Sequence, residues 1–281
     1  MNNNIIIGID LAKNVFQVHG ACRDGTVLFR KKLTRPQLKK FMSAQEPCLV
    51  AMEACGTSHY WARELSKIGH DVKLIPPIYV KPFVKRHKND AADAEAITEA
   101  ALRPNMSFVE PKSADTQAIT MMMRTRDQLI SQRTATVNAL RSHLAEFGLI
   151  APVGLKNVEQ LRTRIEEAED IPALVTEMVD MHFAQISNLS ESIEALNAKI
   201  KAHCTLSASA RLLQTMPGIG PIGAMVIEAF APDMQSFAKG RDFAAWLGLI
   251  PMQNSSGGKT RLGRTTKMGQ KDIRHALITG A

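Results

Sequence analysis

Two stretches of this 281-residue chain leave a strand no polar face, and each is broken by one carboxylate. IIIGIDLA, residues 5–12, is a near-continuous apolar run interrupted by Asp10. CLVAMEA, residues 48–54, is a second such run, and Glu53 stands near its end. A strand of this kind belongs inside a sheet that is covered on both sides. The surroundings agree. Val15 to Ala21 and Val27 to Leu33 read as two further strands joined at Asp24-Gly25, a hairpin-turn pair. Pro36 opens a helix that runs to Ala44. Thr57 to Ile68 is helical and Gly69 ends it. Asp71 to Ile75 is a strand stopped by Pro76-Pro77, and Asp90 to Leu102 is helical. The order βββαβαβα predicts an α/β domain with a mixed sheet over residues 1–108.

The rest of the chain reads as α. From Asp115 to Phe147 no Pro or Gly intervenes, and Met121, Leu129, Val137, Leu140 and Leu144 recur at helical spacing. A second long helix is predicted from Ala173 to Cys204. The pair suggests an antiparallel coiled-coil arm over residues 109–208. Pro152-Val153-Gly154 and a polar stretch through Asp170 would connect its two helices. Residues 209–281 form a third, small domain that is Gly-rich and helical in fragments. It holds MPGIGPIGAMVIEA, then AAWLGLIP, then the tail NSSGGKTRLGRTTKMGQKDIRHAL.

Charge divides the chain in the same way. Residues 1–100 carry 15 basic and 10 acidic side chains, residues 155–209 carry 5 and 9, and residues 255–281 carry 6 and 1. The net charge of +8 makes a polyanion the expected partner, held by the two basic ends. The four cysteines form no CxxC pair, which argues for a reducing compartment and against structural zinc. No apolar run is long enough for a membrane span. The N-terminus lacks the basic region of a signal peptide. A cytoplasmic location is the expectation.

Four carboxylates could carry chemistry. Asp10 and Glu53 sit in apolar strands, where a charge costs desolvation energy unless a cation or donors meet it. If their strands are neighbours, the two carboxylates can converge at one sheet edge. Asp90 and Asp93, at i and i+3, share one helix face. The run Lys81, Lys85, Arg86, His87 and Lys88 precedes them. Singly, each carboxylate could be a loop cap or a complement to a helix dipole. As a set they would repel one another unless hard divalent cations bound them. Oxygen-only ligands favour Mg²⁺ or Mn²⁺, the ions of phosphodiester chemistry.

Two further motifs suit a nucleic-acid backbone. A helix, the Gly-x-Gly of Gly218 and Gly220, and a second helix make a helix-hairpin-helix-like element. Such an element presents backbone amides to phosphate, or it is a tight turn between packed helices. Ser255-Ser256-Gly257-Gly258 precedes Lys259, Arg261, Arg264, Lys267, Lys271 and Arg274. A serine in such a loop can be held against a phosphate. On chemistry alone, a flexible basic loop that binds phosphate non-specifically is the better explanation. The methionines, Trp61 and Trp246 fit apolar core patterns, His19 reads as a packed strand residue, and Cys55 with His59 lacks a third metal ligand.

Five blocks taken in order resemble the DEDD transposases of bacterial insertion sequences, serine recombinases guided by a bridge RNA. They are GIDLAKNVFQV, AMEACGTSHYWA, VKRHKNDAADAEAI, LLQTMPGIGPIGA and FAAWLGLIPMQNSSGGKTRLGRTTKMGQKDIRHAL, and together they span essentially the whole chain. The resemblance implies a RuvC-like, ribonuclease H-like first domain. Its metal-binding tetrad would be Asp10, Glu53, Asp90 and Asp93, with Mg²⁺ or Mn²⁺. It implies a coiled-coil arm that mediates oligomerisation, and with helices this long a dimer that pairs into a tetramer is the expectation. It implies a C-terminal transposase domain whose nucleophile is Ser256, the serine directly before glycine, with Ser255 as the alternative. Gly218, Gly220, Lys259, Arg261, Arg264 and Lys267 would contact nucleic acid. The partners would be donor DNA, target DNA and a non-coding guide RNA, and strand exchange would pass through a phosphoserine. Members usually continue some tens of residues past the point where this chain stops, so the last domain is expected to be truncated.

Two other classes share some of these features. A non-catalytic DNA- or RNA-binding remnant or regulator derived from a transposase would have the same basic ends. An actin-like or sugar-kinase-like ATPase also opens with GIDLA and a hairpin. Such an ATPase normally places small hydroxyl residues and glycines after the strand Asp to hold phosphates, whereas Leu11-Ala12-Lys13-Asn14 stands here.

Overall fold

The computed structural model describes residues 5–84 and 90–280, with the side chains of Asp90 and Ala91 excepted. Lys85, Arg86, His87 and Lys88 of the expected basic run lie outside the described residues. The chain divides into two compact units, Met1–Asp115 and Thr116–Ala281.

In the first unit the strands β1 (Ile5–Asp10), β2 (Val15–Cys22), β3 (Val27–Thr34), β4 (Leu49–Glu53) and β5 (Asp71–Ile75) form one sheet in the order β3-β2-β1-β4-β5. β1 runs antiparallel to β2 and parallel to β4; β2–β3 is antiparallel and β4–β5 parallel. The mixed sheet expected from the element order is present. The helices are α1 (Arg35–Ser43), α2 (Ser58–Lys67), α3 (Pro77–Val80) and α4 (Asp90–Ala101). Helix α1 starts where Thr34 N–H donates to Gln37 Oε1 at 2.8 Å, with Pro36 in its first turn.

The apolar runs follow from two covered faces. Ile7, Ile9, Phe16, Val18, Val50, Met52 and Leu74 pack with Leu38 and Met42 of α1 and Trp61 and Leu65 of α2. Ile6, Ala51 and Ile75 pack on the other side with Val80, Ile97 and Ala100. Strand alternation therefore assigns Ile6, Gly8 and Asp10, together with Ala51 and Glu53, to the face covered by α4.

The second unit is built on α5 (Ala114–Ala145) and α7 (Ala173–Leu206). They run antiparallel, since partners on α7 move back as those on α5 advance. Arg126 Nε donates to Asn197 Oδ1 at 2.7 Å, Arg133 Nη1 donates to Ser190 Oγ at 3.1 Å, and His143 stacks on His182. Val137, Leu140 and Leu144 meet Val179, Phe183 and Ile186. The connection between them holds a helix where a polar linker was expected. This is α6 (Glu159–Glu166), whose stripe is only Leu161 and Ile165, too narrow to stand out in the sequence.

Beyond α7 come α8 (Ala208–Leu213), α9 (Pro221–Phe230), α10 (Gly240–Trp246) and α11 (Lys271–Gly280). Ala224, Met225, Ile227, Phe230, Leu247 and Ile273 share one core with Met123 of α5 and with Ile200 and Cys204 of α7. Between α10 and α11 lies an antiparallel hairpin of β6 (Pro251–Gln253) and β7 (Leu262–Thr265). Its strands are short and exposed throughout, so no alternation announced them in the sequence.

Candidate nucleic-acid-processing site

β1 and β4 carry Asp10 and Glu53 to the same edge of the sheet. The last matched pair of these parallel neighbours is Ile9 with Met52, and the carboxylates follow one residue later on each strand. Both are half-buried. Helix α4 crosses β1 at Gly8. A Cβ added to Gly8 would collide with Thr98 Oγ1, and the Ala94 carbonyl is close behind it. Only a glycine lets the helix approach this closely. Thr98 Oγ1 donates to Ala94 O at 3.0 Å, which directs the hydroxyl back into the helix. Asp93, half-buried, precedes Ala94 and so lies beside that crossing. Asp90 begins the same helix, and its side chain is outside the described residues.

The donor set can be tested against a divalent cation. Asp10, Glu53 and Asp93 offer oxygen alone, which fits Mg²⁺ or Mn²⁺ and does not fit zinc or copper. Among the described residues no three His, Cys, Asp or Glu side chains are gathered closely enough to hold a metal ion. Asp90 stands outside that statement.

The register adds two residues that the sequence reading did not single out. Asp10 pairs with Gln17, and Gln17 pairs with Lys32. Counting back from the Asp24-Gly25 turn would have missed Lys32, because the β2–β3 register shifts at Gly20/Ala21.

The serines lie in the second unit, in the loop of the β6–β7 hairpin. Gly257 and Gly258 both have positive φ, at 58° and 73°, and Lys259 N–H closes the turn on Ser256 O at 3.1 Å. Successive positive φ values are why two glycines stand there. The two serines differ. Ser255 Oγ accepts a hydrogen bond from Arg261 N–H at 3.0 Å and braces the loop. Ser256 opens the Gly-Gly turn and is exposed; among the described residues its hydroxyl has no partner.

Lys259, Arg261, Arg264 and Lys267 are exposed around this loop. Lys267 takes a positive φ of 54°, uncommon for a residue with a side chain, while its N–H donates to Gly248 O at 3.0 Å. Gly218, with φ 83°, lies in the turn between α8 and α9. The Gly218 carbonyl lies against Gly280, at the end of α11. Gly220 precedes α9, and a Cβ there would meet nothing within 4 Å.

The structural expectations for other residues also have their places. His19 and Trp61 are buried, and Trp246 is half-buried. His59 Nδ1 accepts from Lys112 N–H at 3.1 Å. All four cysteines are free thiols. No helix among the described residues is long and apolar enough to cross a membrane.

Comparison with known proteins covers both units. Residues 210–281 match the transposase IS116/IS110/IS902 family, and residues 7–148 match a DEDD transposase model of the IS110 type. A Pseudomonas aeruginosa protein named "Probable family 20 transposase" is 47% identical over 278 residues, which cover 98% of this chain and 82% of that protein. The transposase for insertion sequence element IS1328 of Yersinia enterocolitica is 42% identical, over 99% of this chain and 83% of its own length. The transposase for IS1111A of Coxiella burnetii is 34% identical, over 98% and 76%.

Proposed function

The chain belongs to the IS116/IS110/IS902 family of insertion-sequence transposases, and on that premise we propose that it cuts and rejoins DNA through a covalent serine ester. The observation that carries the reading is the placement of Asp10 and Glu53. They end adjacent parallel strands, on the one face that α4 covers with Asp93 near its start.

The first unit, read as a ribonuclease H-like sheet, would hold the scissile phosphate. Asp10, Glu53, Asp90 and Asp93 would bind Mg²⁺ or Mn²⁺, and the bound ions supply Lewis-acid polarisation of that phosphate. Ser256 supplies the nucleophile. Its Oγ forms a bond to phosphorus, the bond from phosphorus to the departing DNA oxygen breaks, and the serine proton ends on that oxygen. A hydroxyl of a second DNA end then attacks the same phosphorus and releases Ser256. The bond count is conserved, so no outside energy source is needed. Ser256 suits this role better than Ser255, because the Ser255 hydroxyl is already engaged with Arg261 N–H. Lys259, Arg261, Arg264 and Lys267 would neutralise backbone charge beside it, and the α8–α9 turn at Gly218 and Gly220 would present amides to a phosphate.

Residues 109–208 act in this reading as a coiled-coil arm, and residues 209–281 as the transposase domain. Pairing through the arm into a dimer, then a tetramer, would bring one chain's carboxylates to another chain's serine. A non-coding RNA from the element would choose donor and target sites by base pairing, so little sequence reading falls to the protein itself.

The carboxylate site is tested by nicking. DNA carrying an element end, with the flanking RNA and Mg²⁺, is incubated with the native chain and with Asp10→Asn, Glu53→Gln and Asp93→Asn. Each variant is expected to lose cleavage by at least about a hundredfold while still binding DNA. Native cleavage rates in Asp10→Asn would refute the reading.

A further inference from the structure

The row that holds the two carboxylates continues across the sheet, and it ends on a cation. Lys32 of β3 pairs with Gln17 of β2, Gln17 pairs with Asp10 of β1, and Glu53 of β4 stands beside Asp10. Residues in register on neighbouring strands turn to the same face. Arg30, two residues earlier on β3, identifies that face. Its Nη2 reaches Glu95 Oε2 of α4 at 2.8 Å. Lys32 therefore shares the α4 face with Asp10 and Glu53. Lys31 takes the opposite face, where its Nζ lies 4.8 Å from the centre of the Phe41 ring.

Both other cations that strands of this sheet turn toward carboxylates are paired, and so is Lys39 on α1. Arg30 binds Glu95, Lys39 binds Glu64 and Lys73 binds Asp71. Lys32 is exposed, and among the described residues no carboxylate pairs with it. It also stands on the outermost strand, where nothing in the sheet lies beyond it.

We propose that Lys32 binds the DNA strand being cut, holding a phosphate next to the scissile one through the α4 face of the sheet. The assignment rests on the reading of Asp10 and Glu53 as the cutting site. Two strand spacings separate Lys32 from Asp10, roughly 10 Å between backbones, and a long flexible ammonium side chain can shorten that gap. A carboxylate centre repels the backbone it must cut. A lysine in the same row offsets that repulsion without entering the metal shell, and a point charge is sufficient for a phosphate. A lysine on an edge strand also hinders sheet-to-sheet pairing. Lys31 and Lys32 would share that role equally, whereas the phosphate role belongs to Lys32 alone.

The neighbouring lysines make the test. Affinity of the full chain for a DNA duplex bearing an element end is measured over a range of salt, for the native chain, Lys32→Gln, Lys31→Gln and Lys32→Arg. One phosphate contact contributes about 0.9 to the slope of log affinity against log salt. Lys32→Gln is expected to lower the slope by that amount, Lys31→Gln to leave it unchanged, and Lys32→Arg to restore it. Equal slopes in Lys31→Gln and Lys32→Gln would overturn the assignment. A slope change seen with the flanking RNA but not with DNA would overturn it too. Cleavage by Asp10→Asn separates the two claims. If Asp10→Asn cleaves normally, the cutting-site reading fails. If Asp10→Asn is dead and Lys32→Gln keeps the native slope, only the Lys32 assignment fails.

Discussion

Gly8 shows how much one missing side chain does. It lets α4 lie against β1, and so fixes where Asp93 stands relative to Asp10. Gly8→Ala should force α4 away, because the new methyl would meet Thr98 and the Ala94 carbonyl, both inside a packed helix. A destabilisation of about 1–3 kcal/mol is expected in chemical denaturation, with cleavage falling further than stability. Unchanged stability would mean that α4 is not held at that crossing. Asp10 and Glu53 were legible in the sequence because a carboxylate in an apolar strand is conspicuous. Lys32 was not. Its place depends on the β-bulge between Gly20 and Ala21, and a slip of one residue would have put Lys31 in the row instead.

At the scale of elements, the sequence carried the first unit almost completely. Apart from the exposed β3, its strands are apolar enough and its turns specific enough to bound each one. The second unit was harder. Helices α5 and α7 were visible from their spacing, but α6 buries only two residues and the β6–β7 strands bury none. Elements that bury little leave little periodicity to read.

One contact links α2 to the segment that follows α4. His59 Nδ1 accepts from Lys112 N–H, and burial, with Lys112 and Arg63 nearby, lowers the His59 pKa from its ordinary 6.5. The folded form thus prefers the neutral ring. The contribution is complete above about pH 6.5 and is lost as pH falls, because the unfolded chain takes the proton first. The first unit should therefore melt at lower temperature at pH 5.5 than at pH 7.5. His59→Gln, which keeps an acceptor, should narrow that gap. A gap of the same size in His59→Gln would assign the pH dependence elsewhere.

For the whole molecule, the cores are grouped unit by unit. Met52 and Ile97 belong to the cores of the first unit, Ile273 and Leu140 to those of the second. Calorimetry should resolve two transitions. Met52→Ala should lower one and Ile273→Ala the other, each by about 2–5 kcal/mol. A single transition shifted by both substitutions would contradict that division. Thiol chemistry should sort by burial. Burial pushes the Cys48 thiol up to about 11 and raises that of Cys204. Both should resist a thiol reagent at pH 8, while the half-buried Cys22 and Cys55 react first. The proposal that two units, one bearing carboxylates and one bearing a serine, serve one reaction comes only from the family resemblance. No spacing in a single sequence says that residues so far apart serve one reaction.

The most direct measurement is the identity of the residue that DNA is attached to. The native chain is incubated with its flanking RNA, donor DNA, target DNA and Mg²⁺, then denatured, digested with protease and nuclease, and mapped by mass spectrometry. A nucleotide on Ser256, absent from Ser256→Ala and Asp10→Asn and retained in Ser255→Ala, is the predicted result. Strand cleavage with no nucleotide on either serine would contradict the account, because water would then be the nucleophile.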